Sequence, residues 1–317
     1  MIKLKLSIII PCYNCSETLR EAVESCYTQG FKDNEFEILL VDDFSTDKTH
    51  EVMKALASTN SNIRLKFQKN NCGAGQTRNT GIALSNSDVI ICLDSDDLLP
   101  VGTLDNMYKY LKKKKCDGVG FHHSINFNGR NVLDIDHVVT MAYVDEKIPF
   151  ESLFQKNDKM CSLYQVFMLT KTAFNKTGGY PTTHAFDTQG FAWRFLANDL
   201  TAYTCPNACY FLRINLHESY YMREYNQGKT NFNWQSILVE HLNFFNDETQ
   251  KKIKNFDCTD FTKSILKTLG DPNKVLRKDY KSLMGKTQIF ITQATDSKAI
   301  PRNSLRGIYM RIINRMK

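Results

Sequence analysis

The chain has 317 residues, 42% of them hydrophobic and 24% charged, which is ordinary for a globular protein with one large core or two smaller ones. No apolar stretch reaches the roughly 18 residues of a spanning helix, so a transmembrane protein is excluded as an expectation. The net charge of +7 is uneven: residues 251–317 hold 16 Lys and Arg against 5 Asp and Glu, and residues 1–250 hold 25 against 29. The basic C-terminal end points to an anionic partner: a membrane surface, an acidic polymer or nucleic acid.

Leu4 to Ile10 is a continuous apolar run, too short for a signal-peptide core and closed by Pro11. It predicts a strand buried on both faces and a cytoplasmic protein. Ser16 begins a helical pattern that puts Leu19, Ala22, Val23 and Cys26 on one face. Phe36 to Val41 is a second buried strand, ending at Asp42 and Asp43; Thr46 or Asp47 can cap the helix that follows. Ile63 to Phe67 predicts a third strand, Gly73 to Leu84 a helix, Val89 to Leu93 a fourth strand and Leu104 to Leu111 a helix. Strands alternating with helices predict βαβ units and a mostly parallel sheet, with ligands at the carboxyl ends of the strands. The acidic residues Asp42, Asp43, Asp94 and Asp96 fall there. Beyond residue 117 the pattern loosens. Val119 to Ile125 and Val132 to Val139 read as a hairpin around Asn128-Gly129, residues 186–198 as a helix, Cys209 to Ile214 as a strand, and 233–246 and 259–269 as helices.

Ten cysteines are present. Cys12 and Cys15 form a CxxC, and Cys205 and Cys209 a CxxxC with His217 downstream. Zinc and redox readings both exist for these spacings, but one isolated CxxC is a weak signal, and most cysteines lie in apolar runs. Reduced, structural cysteines are the preferred reading.

Asp94-Ser95-Asp96 is a DxD spacing. A nucleotide-sugar diphosphate gains charge as its glycosidic bond breaks, and a hard cation on carboxylate oxygens can offset it. The motif keeps informative company. Ser7 to Asn14 (SIIIPCYN), Leu40 to Asp47 (LVDDFSTD), Asn71, Gly73, Arg78, Asn79 and Gly81, and Leu93 to Asp97 (LDSDD) occur in this order. The set resembles the family 2 glycosyltransferases, inverting enzymes of the GT-A fold that include bacterial polysaccharide-synthesis transferases, over roughly the first hundred residues.

The resemblance implies a metal-dependent glycosyltransferase of hexosyltransferase type with a UDP-sugar donor. It places Pro11, Tyr13 and Asn14 around the nucleobase and ribose, with Asn71, Gly73 and Ser95 on the same binding surface. Asp42 matches the acceptor for the uracil N3–H, and Arg78 an arginine along the base and diphosphate. Asp94 would hold the ribose and support the metal site, Asp96 would ligate Mn²⁺ or Mg²⁺, and His217 could complete the shell. Asp43, Asp47 and Asp97 read as loop and helix caps. The family's Glu-Asp pair at a helix start, whose Asp is the base, is not intact here. Aligned on Arg194, Asp187 takes the Glu place and Thr188 the Asp place; aligned on Asp187-Thr188, Phe186 replaces the Glu. Asp187 is the expected base either way, with Asp199 as fallback. Gly178-Gly179-Tyr180 resembles the family's acceptor-side turn, and Tyr210 to Arg213 with His217-Glu218-Ser219 its closing segment. His122 and His123 read as structural.

The expected organisation is a GT-A catalytic domain over 1–225, with a nucleotide half (1–100) and an acceptor half (101–225), and a basic helical region over 226–317. In residues 304–317, Leu305, Ile308, Tyr309, Ile312, Ile313 and Met316 share one helical face, with Arg306, Arg311, Arg315 and Lys317 elsewhere. This face suits either an inner-membrane surface, making the protein peripheral there, or packing on protein, including a homo-oligomer partner. The expected acceptor is a glycan, lipid-linked glycan or anionic surface polymer; nucleic acid is not expected. Two alternatives stand beside this reading. A sugar-phosphate nucleotidyltransferase would carry a Gly-rich basic loop where Pro11 to Asn14 stand. A degenerate nucleotide- or glycan-binding protein would fit the broken Glu-Asp pair.

Overall fold

The computed structural model describes residues 4–129, 131–154, 160–183, 186–214, 230–255 and 269–285. Four parallel strands form the first half: β1 (Leu6–Cys12), β2 (Phe36–Asp42), β3 (Ile63–Phe67) and β4 (Val89–Cys92). They lie in the order β3-β2-β1-β4. Every residue of β2 and β4 is buried, Glu37 and Asp42 included, as expected of mostly apolar strands covered on both faces. The helices between them are α1 (Leu19–Cys26), α2 (Thr49–Thr59) and α3 (Ala74–Leu84); α4 (Thr103–Lys114) follows β4. The α1 face of Leu19, Ala22, Val23 and Cys26 is buried as its spacing predicts. The helix begins later than Ser16, because the Cys15 carbonyl first accepts from the amides of Thr18 and Leu19.

Two glycines set how closely α3 lies on its surroundings. A Cβ at Gly81 would stand 2.4 Å from Ile9 Cγ2 on β1, and one at Gly75 only 2.0 Å from the Pro181 carbonyl oxygen. The first contact seats α3 on the sheet. The second brings its N-terminal turn against the loop that leads to Asp187.

The second half completes an eight-stranded sheet. β5 (Gly118–Asn128) pairs antiparallel with β6 (Ile135–Thr140), the expected hairpin around Asn128-Gly129. β7 (Met168–Thr170) runs antiparallel between β4 and β5, followed by α5 (Lys171–Thr177). Neither was expected; three apolar residues give too little pattern to read as a strand. α6 (Asp187–Ala197) precedes β8 (Ala202–Ile214), which pairs parallel with β5 and is longer than predicted. Pro206 hides its first half, since proline argues against a strand unless a bulge receives it, and the β5–β8 register shifts beside it, between Phe121 and His123.

Beyond the sheet lie α7 (Thr230–Glu240), α8 (Asp247–Lys254), α9 (Pro272–Val275) and α10 (Tyr280–Leu283). An aromatic cluster joins them to α6: Phe150 stands 5.6 Å from Trp193, 5.1 Å from Phe244 and 5.8 Å from Tyr280, centroid to centroid. Arg194 of α6 ion-pairs with Glu240 of α7 at 3.0 Å and donates to the Gly179 carbonyl at 2.7 Å. These contacts fix α6, and with it the direction of Asp187 at its first turn. No helix among the described residues is long and apolar enough to cross a membrane.

Candidate active site

The loop after β4 carries Asp94-Ser95-Asp96-Asp97, and α3 delivers Arg78 beside it. Arg78 is buried and bridges two carboxylates. Its Nη2 donates to Asp94 Oδ1 at 2.5 Å and its Nη1 to Asp187 Oδ2. Its guanidinium also lies over the Tyr180 ring, 5.6 Å from the centroid, and its buried Nε has no hydrogen-bond partner. Segments more than 100 residues apart in sequence thus meet at one cation. Thr188 turns instead to Gln189, with 3.0 Å between Oγ1 and Oε1. Asp187 is therefore the carboxylate that the start of α6 presents to the site.

The electrostatics follow from this crowding. Burial alone would lower the Arg78 pKa, but Asp187 and Asp94 outweigh it and hold the guanidinium charged. Burial raises Asp187 above the usual carboxylate range, and Arg78 partly offsets this. Asp96 is pushed up to about 6, first by the protein wall around it and then by the Asp94 charge. Its side chain still reaches solvent, so the wall desolvates it without enclosing it. Asp97 is buried and raised well above the ordinary value by burial and by Asp96 and Asp94.

Asp97 is not a loop cap. Its carboxylate accepts from Tyr210 Oη and from the Arg213 amide, each at 2.8 Å, and so pins β8 to the acidic loop. The same strand end supplies Arg213, whose Nε donates to the Asp96 carbonyl at 2.7 Å and whose Nη2 pairs with Glu21 at 2.5 Å. Asp43 and Asp47 do hold loops and helix starts. Asp43 accepts from the amides of Cys72 and Gly73, at 2.7 and 2.9 Å, before α3. Asp47 accepts from the Thr49 amide at 2.9 Å at the start of α2.

The other residues expected to meet the nucleotide lie on β1 and on the neighbouring loops. Pro11 lies on β1 opposite Val41. Tyr13 is 45% exposed. Asn14, at φ 48°, donates its amide to Ser45 Oγ at 3.0 Å and accepts the Thr46 amide at 2.8 Å. Asn71 Nδ2 donates to the Asp43 carbonyl at 3.2 Å, and Gly73 at φ 83° is the N-cap of α3. Ser95, between Asp94 and Asp96, is partly buried. Asp42 is fully buried and turned into its own loop. It accepts from the amides of Phe44 and Ser45, at 3.0 and 3.1 Å, and meets His50 Nε2 at 2.7 Å. His50 was not singled out in the sequence; its place eight residues after Asp42, on the first turn of α2, was the available signal.

Asp199, the fallback base, sits beyond the far end of α6, roughly 18 Å from Asp187 by helix rise. It pairs with Lys147 at 3.8 Å. His122 and His123 lie on β5 with ring centroids 3.9 Å apart and planes tilted by 36°, and His122 meets the Pro206 carbonyl at 3.0 Å. His217 and residues 304–317 lie outside the described residues.

Among the described residues no group of three or more His, Cys, Asp or Glu could hold a metal by itself. The donor set nevertheless fits a hard cation. Asp96 is a solvent-reaching carboxylate repelled by Asp94, with no ion pair of its own among the described residues. A magnesium-like ion commonly takes one or two carboxylates and fills its shell with substrate phosphates and water.

A family model described as Glycosyl transferase family 2 matches residues 7–178. The chain belongs to this family. Glycosyltransferase GlyG of Streptococcus pneumoniae serotype 4 is 26% identical over 295 residues, covering 91% of each chain. Poly(ribitol-phosphate) beta-N-acetylglucosaminyltransferase TarP of Staphylococcus aureus is 28% identical over 220 residues, covering 68% of this chain and 64% of TarP. Among solved structures, S. aureus TarS 1-349 in complex with UDP-GlcNAc aligns with a TM-score of 0.61 at 16% identity, covering 92% of this chain and 91% of that one. The mannosyltransferase PcManGT of Pyrobaculum calidifontis, in complex with GDP-Man and Mn²⁺, aligns at 0.54 and 18% identity, covering 98% of this chain and 81% of that one. The fold shared with these neighbours is GT-A, and the protein is a glycosyltransferase of the family 2 type.

Proposed function

We propose that the protein is an inverting, metal-dependent transferase that moves a sugar from a UDP-sugar to a hydroxyl of a glycan or other surface-polymer acceptor. The bridge from Asp94 through Arg78 to Asp187, with the Asp96 carboxylate open beside it, carries this reading. The reading is supported by the meeting of Asp94, the Arg78 guanidinium and the buried Asp187 carboxylate at the carboxyl end of β4, where ligands of such sheets bind.

A divalent cation on Asp96, with Asp94 beside it, would supply counter-charge to the diphosphate. Arg78 supplies a second positive charge at the same point, in a fork suited to phosphate oxygens. As it turns toward the diphosphate, its hold on Asp187 loosens. Asp187 then takes the proton of the acceptor hydroxyl; the acceptor oxygen bonds to the anomeric carbon, and the bond from that carbon to the diphosphate oxygen breaks. One displacement inverts the anomeric centre and needs no nucleophile from the protein. Burial supports the base role by raising the proton affinity of Asp187 above that of a solvated aspartate.

TarP is named for transfer of β-N-acetylglucosamine to poly(ribitol-phosphate), so UDP-GlcNAc is the first donor to test and a polyol-phosphate polymer the first acceptor. The deciding experiment is a nucleotide-sugar hydrolysis screen with Mn²⁺, followed by calorimetry of UDP with and without chelator. Release of UDP from one donor, and binding that the chelator abolishes, are expected. Equal affinity in both conditions removes the metal; no turnover of any donor with intact UDP binding favours the degenerate binder.

A further inference from the structure

Among the described residues two aromatic side chains are exposed, Tyr13 at 45% and Phe44 at 51%. They stand on neighbouring loops at the carboxyl ends of β1 and β2, the end at which ligands of such sheets bind. The two ends run side by side: Cys12 is in register with Asp42, and the Cys12 carbonyl accepts the Asp43 amide at 2.8 Å. Just beyond, Asn14 laces the loops together through Ser45 Oγ and the Thr46 amide, at 3.0 and 2.8 Å. Tyr13 immediately precedes Asn14, and Phe44 immediately precedes Ser45. Neither aromatic residue belongs to the packed core.

Phe44 is also held in a backbone conformation that does not suit it. Its φ of 67° lies in the left-handed region, which is costly for a bulky residue and open to glycine. Hydrogen bonds on both sides impose it. The Phe44 and Ser45 amides donate to Asp42 Oδ2, at 3.0 and 3.1 Å, and the Asp43 carbonyl accepts from Asn71 Nδ2 at 3.2 Å. Glycine would serve this turn better, and a half-exposed side chain gains too little burial to offset the strain. Neither the turn nor the core therefore accounts for a phenyl group at this position. Strain held by an over-determined loop beside a binding site points to a task for the side chain.

We propose that Phe44 is a second stacking wall for the base of the nucleotide donor, with Tyr13 as the first; this rests on the donor proposed above. The recognised chemistry is a flat heteroaromatic ring against aromatic side chains, a contact open to every base because each has a π face. It suits the state of Asp42. That carboxylate is fully buried, accepts from two loop amides and meets His50, and stacking holds the base without drawing on it. The laced loops fix the Phe44 backbone before a ligand arrives, which lowers the ordering cost of binding. Loss of one base–aromatic contact corresponds to a fall in affinity of roughly tenfold.

The test measures affinities of UDP and of pyrophosphate, both with Mg²⁺, by calorimetry on the full-length protein and on Phe44→Gly and Phe44→Tyr, with a melting curve for each. Phe44→Gly should bind UDP roughly tenfold more weakly and pyrophosphate as wild type does. Its melting temperature should be unchanged or higher by about 2 °C, since glycine relaxes the turn. Phe44→Tyr, which keeps the ring, should bind UDP within about twofold of wild type. Wild-type UDP affinity in Phe44→Gly would overturn the proposal. So would an equal loss for pyrophosphate, which has no base and would report a disturbed loop, or a lower melting temperature, which would assign the ring to packing. If the wild type binds GDP but not UDP, the uridine reading falls alone, and the same variants decide the stacking with GDP. Binding of neither nucleotide would overturn both.

Discussion

Arg78→Met gives the most direct test of the bridge, because it keeps an unbranched apolar stem and removes the guanidinium with its charge and its donors to Asp94 and Asp187. Asp187 is left uncompensated with its side chain 10% exposed, and Asp94 with 35%. Removing one partner of a buried pair costs roughly 3–5 kcal/mol. Neutralising Asp187 instead, from an ordinary pKa near 3.9 at pH 7, costs roughly 4 kcal/mol and sets a ceiling. Asp94, a third exposed, adds less than about 1 kcal/mol. The expected loss is therefore roughly 3–4 kcal/mol at pH 7, a melting temperature about 6–8 °C lower at roughly 2 °C per kcal/mol.

The sign of the pH dependence follows from linkage. Without Arg78 the folded Asp187 binds its proton more tightly than the unfolded one does. Stability then falls as pH rises from the unfolded toward the folded pKa. The deficit of Arg78→Met against wild type should be larger at about pH 8 than at about pH 5. Adding Asp187→Asn removes the buried charge and should return at least about 1 kcal/mol, a strong coupling for residues in contact. Calorimetric melting of the four proteins at both pH values completes the cycle. A deficit independent of pH, together with additive losses in the double variant, would refute the bridge.

Three further outcomes are expected. Asp187→Asn should keep UDP binding and lose transfer by roughly 100-fold or more, read as kcat in a donor-coupled assay, because Asn keeps the shape without the basicity. Asp96→Ala should abolish transfer under Mn²⁺, since the departing diphosphate loses its counter-charge; retained turnover would displace Asp96 from the site. Deletion of 304–317 should release the protein from anionic vesicles at low salt if the basic face meets lipid, four cations contributing about 1 kcal/mol each. A lower melting temperature without vesicle binding would assign that face to protein packing.

The first half was legible where its strands are buried on both faces: Ile8 to Ile10 and Ile38 to Val41 read as strands from apolar content alone. What followed was not legible in the same way. β7 is three residues long and earns its place only by pairing with β4 and β5, contacts far away in sequence. Asp97 looked like a cap because local spacing shows caps and conceals long-range partners; its ligands Tyr210 and Arg213 lie more than 100 residues on. The orientation of Asp42 was equally hidden. The resemblance implied an acceptor there, but the loop amides and His50 that meet it depend on a turn with Phe44 at φ 67°.

Asp187 shows how the two kinds of information combine. In sequence it was the carboxylate left when the Glu-Asp pair proved incomplete, and neither register decided between a base and a helix cap. In the structure it opens α6 but faces Arg78, the residue that the first-half motifs place along the diphosphate. On the proposed reading, one guanidinium serves the base before the donor arrives and the leaving group afterwards. The proton acceptor is then released only when a diphosphate competes for Arg78. This favours donor binding before acceptor deprotonation, and it gives the short first-turn Asp a function that Thr188, turned to Gln189, has no group to perform.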